Sequence, residues 1–165
     1  MARRPTTVDG SVRVAVLFVP LALLAWLSGQ PFVFPSLGPS AYVLAVSPDA
    51  DTSAPRRVLG GHLVGLLAGL ASYHLLASGL GLTAQPVAGS VAGARLAASA
   101  LLAVTATTGG MVASDYRHAP ACATTLIVAL GLLTTALEAV VVVLAVLALL
   151  GSDAVLRRIA RLRRR

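Results

Sequence analysis

The run from Leu132 to Leu150 holds one charged side chain, Glu138, in an otherwise apolar stretch. At 1.5 Å per residue it is long enough to cross the roughly 30 Å hydrocarbon core of a bilayer as a helix. Three further runs repeat the signal: Val14 to Leu27 with Pro20 inside it, Val58 to about Leu80, and about Leu96 to Val112. The composition agrees. Charged residues make up 12% and hydrophobic residues 57%, against about 25% charged in ordinary soluble domains, so the polar surface is too small to cover a water-facing globule. The expectation is an all-α, polytopic helical membrane protein formed as a single domain over residues 1–165.

The net charge of +7 does not point to nucleic acid. Six of the thirteen basic residues fall between Arg157 and Arg165, directly after an apolar run, where a basic tail facing anionic lipid is the simpler account. Aromatic residues number only seven and are not interleaved with the charges, so no base-stacking surface is implied. The single cysteine, Cys122, can form no intrachain disulfide and belongs to no Cys-x-x-Cys pair. We expect no metal and no cofactor. The N-terminus has a basic-then-apolar look, but bulky Phe32 and Phe34 follow in place of a small-x-small cleavage site, so the first run is read as a retained helix.

Two apolar segments are too short for a full span, and each opens on proline. The first follows Pro35, Gly38 and Pro39 and covers Ala41 to Val46 with its edges; the second opens within HAPACATTLIVALG at 118–131. They read as half-helices. With them the chain divides into two similar halves, 1–80 and 88–150, each a helix, a Pro-opened short segment and a second helix, followed by a basic tail at 151–165. Three crossings per half make the halves inverted repeats. Basic residues favour the cytoplasmic side of short loops. On the six-penetration plan Arg3, Arg4, Arg56, Arg57, Arg117 and the tail share one side, with Arg95 the exception, so both termini are expected to be cytoplasmic in a plasma-membrane protein.

The glycines at 60, 61, 65 and 69 would weaken a helix in water, whereas in lipid small residues let helices approach closely. That packing between Gly/Ala-rich faces also leads us to expect a homo-oligomer, because a chain this small has little material with which to enclose a pathway alone.

The segments PSLGPSA at 35–41, PRRVLGGHLVG at 55–65 and HAPACATTLI at 118–127 carry a family resemblance over most of the chain. They resemble the HPP family, small membrane proteins described as having four transmembrane helices. The family's His-Pro-Pro motif is met by His118 and Pro120, with Ala119 in place of the central proline. Members from photosynthetic lineages look like nitrite transporters, so the resemblance implies small-anion transport. The residues independently suggest the same. A half-helix starting at mid-membrane aims unpaired N–H groups and a positive dipole end at an anion, and two of them, opening near Ser40 and near Ala121, could face a single site.

The candidate binding residues are Gly38, Pro39, Ser40, His62, His118, Pro120, Thr124 and Thr125. Glycine permits close backbone approach, proline starts a half-helix, and hydroxyls donate to an anion without the cost of burying a charge. Histidine inside a span must face protein or water and titrates near neutral pH, so His62 and His118 are anion contacts or proton carriers. The plainer alternatives are a structural break for 38–41, a hydrogen bond to a helix terminus for His62, and hydroxyl-to-backbone bonds for the threonines. Glu138, an acid within a span, is a candidate for proton coupling, with pairing to Arg95 or an interfacial position as the alternative. No P-loop, dinucleotide fingerprint, metal-ligand cluster or catalytic triad spacing is present, so an enzyme is not expected. The competing class is a membrane anchor or interaction module for a soluble regulatory partner, with lipid and protein as its only partners.

Overall fold

A computed structural model describes residues 7–162. It is all-helical: α1 (Thr7–Ser28), α2 (Leu37–Val46), α3 (Pro55–Ser72), α4 (Val91–Ala113), α5 (Ala121–Ala129) and α6 (Ala136–Leu162), with a 3-10 turn at Asp51–Ser53 before α3. A π turn at Tyr73–Ala77 prolongs α3, and the four long helices are each apolar and long enough to cross a membrane. The two short helices, of 10 and 9 residues, are the Pro-opened segments. Pro35 precedes the Ser36 N-cap of α2 and Pro120 is itself the N-cap of α5; a pyrrolidine ring fits a helix start because no intrahelical donor is lost there.

One end of the bundle collects the positive charge. There the start of α1 meets the end of α6 through Arg13 and Asp153, the start of α3 meets the segment after α4 through Arg56 and Arg57 on Asp115, and Val46 at the end of α2 approaches Gly10. At the opposite end Leu82 N–H donates to Leu130 O, joining the chain after α3 to the end of α5. Arg95, the basic residue of that end, donates through Nε to Leu76 O, in the stretch where the π turn interrupts the α-helical ladder. Arg3 and Arg4 lie outside the described residues, as do the last three arginines of the tail.

Followed from end to end, the chain therefore traverses the bundle six times. The irregular stretch 29–36 returns from the far end to half depth before α2 begins, anchored by Phe32 and Phe34 buried in the core. Helix α5 instead runs parallel to α3: Gly61 and Gly65 lie against Ala121, and Gly69 against Val128. The halves start at opposite ends, and the same pairs of elements touch: α1·α2, α1·α6 and α2·α6 correspond to α4·α5, α4·α3 and α5·α3, although α5 packs on α3 far more extensively than α2 does on α6.

Several boundaries differ from the sequence expectation: α1 begins at Thr7 and not near Val14, and α4 begins at Val91 and not at about Leu96. Helix α6 starts four residues later than Leu132, because 132–135 form a turn, and it continues through Gly151 and the first tail arginines to Leu162. Through residue 162 the tail is thus part of a spanning helix and not a separate segment. Its extension is held by packing on α1 around the Arg13–Asp153 pair.

The latch at the basic end should be acid-sensitive. Asp115 adopts φ 57, which Asp tolerates better than most residues. Its Oδ2 accepts from Arg56 Nη2 at 2.8 Å and Arg57 Nη2 at 2.9 Å. The Arg57 hydrogen bond foremost, helped by the charges of Arg57, Arg56 and Arg117, holds the Asp115 carboxyl below the ordinary carboxylate range in spite of the desolvation that opposes it. A carboxyl depressed in the fold stabilises above its unfolded value and loses that contribution as pH falls through the folded one. Thermal midpoints measured down an acid pH series should therefore converge for wild type and Asp115→Asn, with wild type modestly higher at neutral pH. A constant gap down the whole series would remove the charge from the latch.

Candidate functional site

The polar centre lies where the first turn of α2 passes the start of α5, beside the second turn of α3. Helix α2 is entered from the far end and α5 from the basic end, so their N-terminal portions run past each other in opposite directions. This lateral overlap pairs Ser36 with Thr124 and Ser40 with His118. The Ser36 and Thr124 hydroxyls lie 2.7 Å apart. The Ser40 hydroxyl lies 3.0 Å from His118 Nε2, 3.0 Å from His62 Nε2 and 3.1 Å from Ser36 O. His62 Nδ1 reaches the Thr124 hydroxyl at 2.7 Å, and His118 Nδ1 reaches Thr52 O at 2.8 Å.

None of these side chains meets solvent: Ser36, Ser40, His118 and Thr124 are 0% exposed and His62 2%. The two imidazole rings are 5.3 Å apart between centroids and tilted by 56°. Polar groups at this depth are tolerated only when bonded, and here they bond one another. The cluster contains no carboxylate and no guanidinium. Its members are hydroxyls and imidazoles, which can donate to an anion without carrying a fixed charge of their own.

Close approach of α3 and α5 makes this meeting possible. A Cβ on Gly61 would come within 3.0 Å of His118 Cβ, and one on Gly65 within 2.7 Å of Ala121 O and 2.8 Å of Thr125 Oγ1. The glycine stripe thus brings the α5 backbone within reach of His62 on the same helix as the glycines. His62 is the eighth residue of α3, about 10 Å in from the helix start at 1.5 Å per residue.

Essentially the whole chain matches one family: residues 3–165 match the family model described as HPP, transmembrane region. The chain belongs to the HPP family. The match covers the inverted halves and both half-helices of this HPP protein, and the His118-Ala119-Pro120 stretch lies at the start of its second half-helix. No curated protein and no solved structure matched in the corresponding comparisons.

Of the residues singled out from sequence, the HPP fold brings Ser40, His62, His118 and Thr124 into one network. Pro120 caps α5 beside it. Thr125 is equally buried but faces the other way: its hydroxyl pairs with Thr107 of α4 at 2.8 Å and donates to Ala121 O at 3.2 Å. Gly38 and Pro39 lie in the first turn of α2, with Pro39 exposed and nothing within 4 Å of a Cβ built on Gly38, so close approach does not explain that glycine.

Glu138 is not brought to the network. Its Oε2 accepts from the backbone N–H groups of Thr134 at 2.8 Å and Thr135 at 2.9 Å, while Glu138 N–H donates to the Thr135 hydroxyl. That reciprocal pair is a capping box on α6. The sequence carried the signal in Thr135-Ala136-Leu137-Glu138, the Thr-x-x-Glu spacing before an apolar run. Ser36 was missed altogether, since its partner lies 88 residues away and only the folded overlap of α2 and α5 reveals it. The carbonyl of Thr52 carries no side-chain signal.

Proposed function

We propose that this protein moves a small monovalent anion, nitrite or an ion of similar size, across the membrane. The reading rests on one observation: two half-helices enter from opposite ends and overlap N-terminus beside N-terminus around buried, uncharged hydrogen-bond donors. Helix starts present a positive dipole end, and hydroxyls and imidazole N–H groups supply the donors in a water-excluded site. An anion passing this point exchanges its hydration for these donors, and the protein groups exchange their bonds with one another for bonds to the anion. The absence of a fixed cation in the network keeps the ion from being held too tightly to leave.

Flux of nitrite, nitrate and chloride into liposomes containing the purified protein tests this, against protein-free liposomes. Saturable nitrite entry that falls at least tenfold in His118→Ala, with that variant still eluting as folded protein, is the expected result. No protein-dependent flux of any of the three ions would favour the anchor or interaction-module function instead.

The concentration of arginine at one end supports a cytoplasmic location for that end and for both termini, by the preference of basic residues for the inner side. Single cysteines at exposed Asp51 and Ser114, placed in a Cys122→Ser background, should react with a membrane-impermeant maleimide only from the inside. One at Gln85, exposed at the opposite end, should react only from the outside. The reverse pattern would invert the assignment.

A further inference from the structure

The hydrogen-bond network has a direction, and a single fixed group sets it. Thr52 O can only accept, so the hydrogen facing it belongs to His118 Nδ1. With a neutral ring, His118 Nε2 then accepts, and the one hydrogen of the Ser40 hydroxyl goes to it. Ser40 Oγ, having given its hydrogen, accepts from His62 Nε2–H. His62 Nδ1 accepts in turn from Thr124, and Thr124 from Ser36. Every hydroxyl and ring N–H of the chain is used once, all pointing from Ser36 toward the half-buried Thr52 at the basic end.

The same geometry accommodates one additional proton. Ser40 has a second acceptor in Ser36 O, at 3.1 Å. When a proton adds to His118 Nε2, the Ser40 hydrogen turns to Ser36 O, and Ser40 Oγ accepts from both imidazoles. All bonds remain made: one proton is gained, one O–H rotates, and His118 becomes an imidazolium. A second proton would put two like charges on rings 5.3 Å apart.

Building on the anion-transport reading, we infer that Ser40 and the His62–His118 pair form a one-proton acceptor that loads together with the anion, so that the site carries both in one electroneutral step. A lone imidazolium at this depth is costly, and so is a lone anion. Together they offset each other, and the coupling is reciprocal: the anion raises the affinity for the proton by the factor with which the proton raises that for the anion. The proton comes from solvent, adds to the free electron pair of His118 Nε2, and leaves by the reverse step when the anion departs.

The charged and titratable groups on the surrounding elements are committed elsewhere. Arg56 and Arg57 of α3 and Arg117 face Asp115, and Asp51 faces Arg57. Tyr116 packs at Gly60, Tyr42 of α2 is exposed, and Cys122 of α5 is half-buried. Arg95 of α4 bonds to Leu76 O, Glu138 of α6 caps its helix, and Asp153 of α6 pairs with Arg13 and Arg157. Among the described residues no carboxylate or guanidinium hydrogen-bonds to either ring. The anion itself is then the counter-ion that His118 lacks.

Two measurements on protein with its hydrogen-bond network intact decide the matter. The ¹⁵N spectrum of histidine-labelled protein at neutral pH should show the Nδ1–H form at His118 and the Nε2–H form at His62, with His74→Gln simplifying assignment. In weakly buffered liposomes, nitrate, whose acid is too strong to carry a proton through lipid by itself, should enter with one proton each, together with nitrite, and an inward proton gradient should raise entry at least tenfold. Ser40→Ala should lose that stimulation, whereas Glu138→Gln should keep it. Protein-dependent anion flux that moves net charge without protons, or the opposite tautomers, would overturn the coupling and leave transport standing. The lack of any protein-dependent flux would instead remove the transport reading and the coupling with it.

Discussion

Gly65→Val is expected to yield no correctly folded protein. The helices α3 and α5 run side by side with Gly65 against the Ala121 carbonyl, and a first added carbon already falls 2.7 Å from that oxygen and 2.8 Å from Thr125 Oγ1. Neither neighbour can withdraw cheaply. The carbonyl belongs to the first turn of α5, and the Thr125 hydroxyl is bonded to Thr107 of α4. Overpacking of this kind costs about 1–3 kcal/mol where side chains can yield, and here backbone would have to yield. Gly65→Ala should be folded with a lowered thermal midpoint, and Gly65→Val should elute as aggregate after extraction. A Val variant with a wild-type midpoint would mean that α3 and α5 are not packed this closely.

That contact also shows what could be read from sequence and what could not. The glycines at 61, 65 and 69 announced close approach by α3, because small residues at four-residue spacing line one helix face. They did not say which helix approaches. Prolines at 35, 39 and 120 marked both half-helices, since proline cannot continue an α-helical ladder but can start one. Arginine placement separated the two ends, and its one exception, Arg95, sits at the far end as expected.

Pairings between distant segments were illegible. Ser40 and the two histidines were candidates because polar groups are expensive in lipid, yet nothing in their spacing said that one hydroxyl bridges both rings. The start of α6 was placed too early because hydropathy reports burial, whereas the end of a helix is set by caps: the Thr135–Glu138 box overrides apolar Leu132 and Leu133. The same preference for reading an acid in a span as functional drew attention to Glu138 and away from Asp153, which lies further along the same helix.

Asp153 should be the most sensitive acidic position for stability. Its side chain is 3% exposed and holds Arg13 Nη2 at 2.7 Å and Arg157 Nε at 2.5 Å, tying the start of α1 to the end of α6. These arginine side chains are themselves mostly covered, at 26% and 30% exposed, and Arg13 Nε and Arg157 Nη2 are buried without a protein partner. Removing the carboxylate charge therefore leaves two guanidiniums facing each other with no compensation. Breaking a buried pair in this way costs about 3–5 kcal/mol, whereas replacing the whole set by apolar side chains of similar volume is often neutral. Asp153→Asn should lower the thermal midpoint sharply, and Arg13→Met with Arg157→Met in an Asp153→Leu background should recover most of the loss. The recovery carries the argument, because it separates the cost of uncompensated charge from the loss of a packing contact. If the triple variant is as unstable as Asp153→Asn, the ion cluster contributes through its geometry and not through balanced charge, and α1 is joined to α6 by contacts that only the three native side chains make.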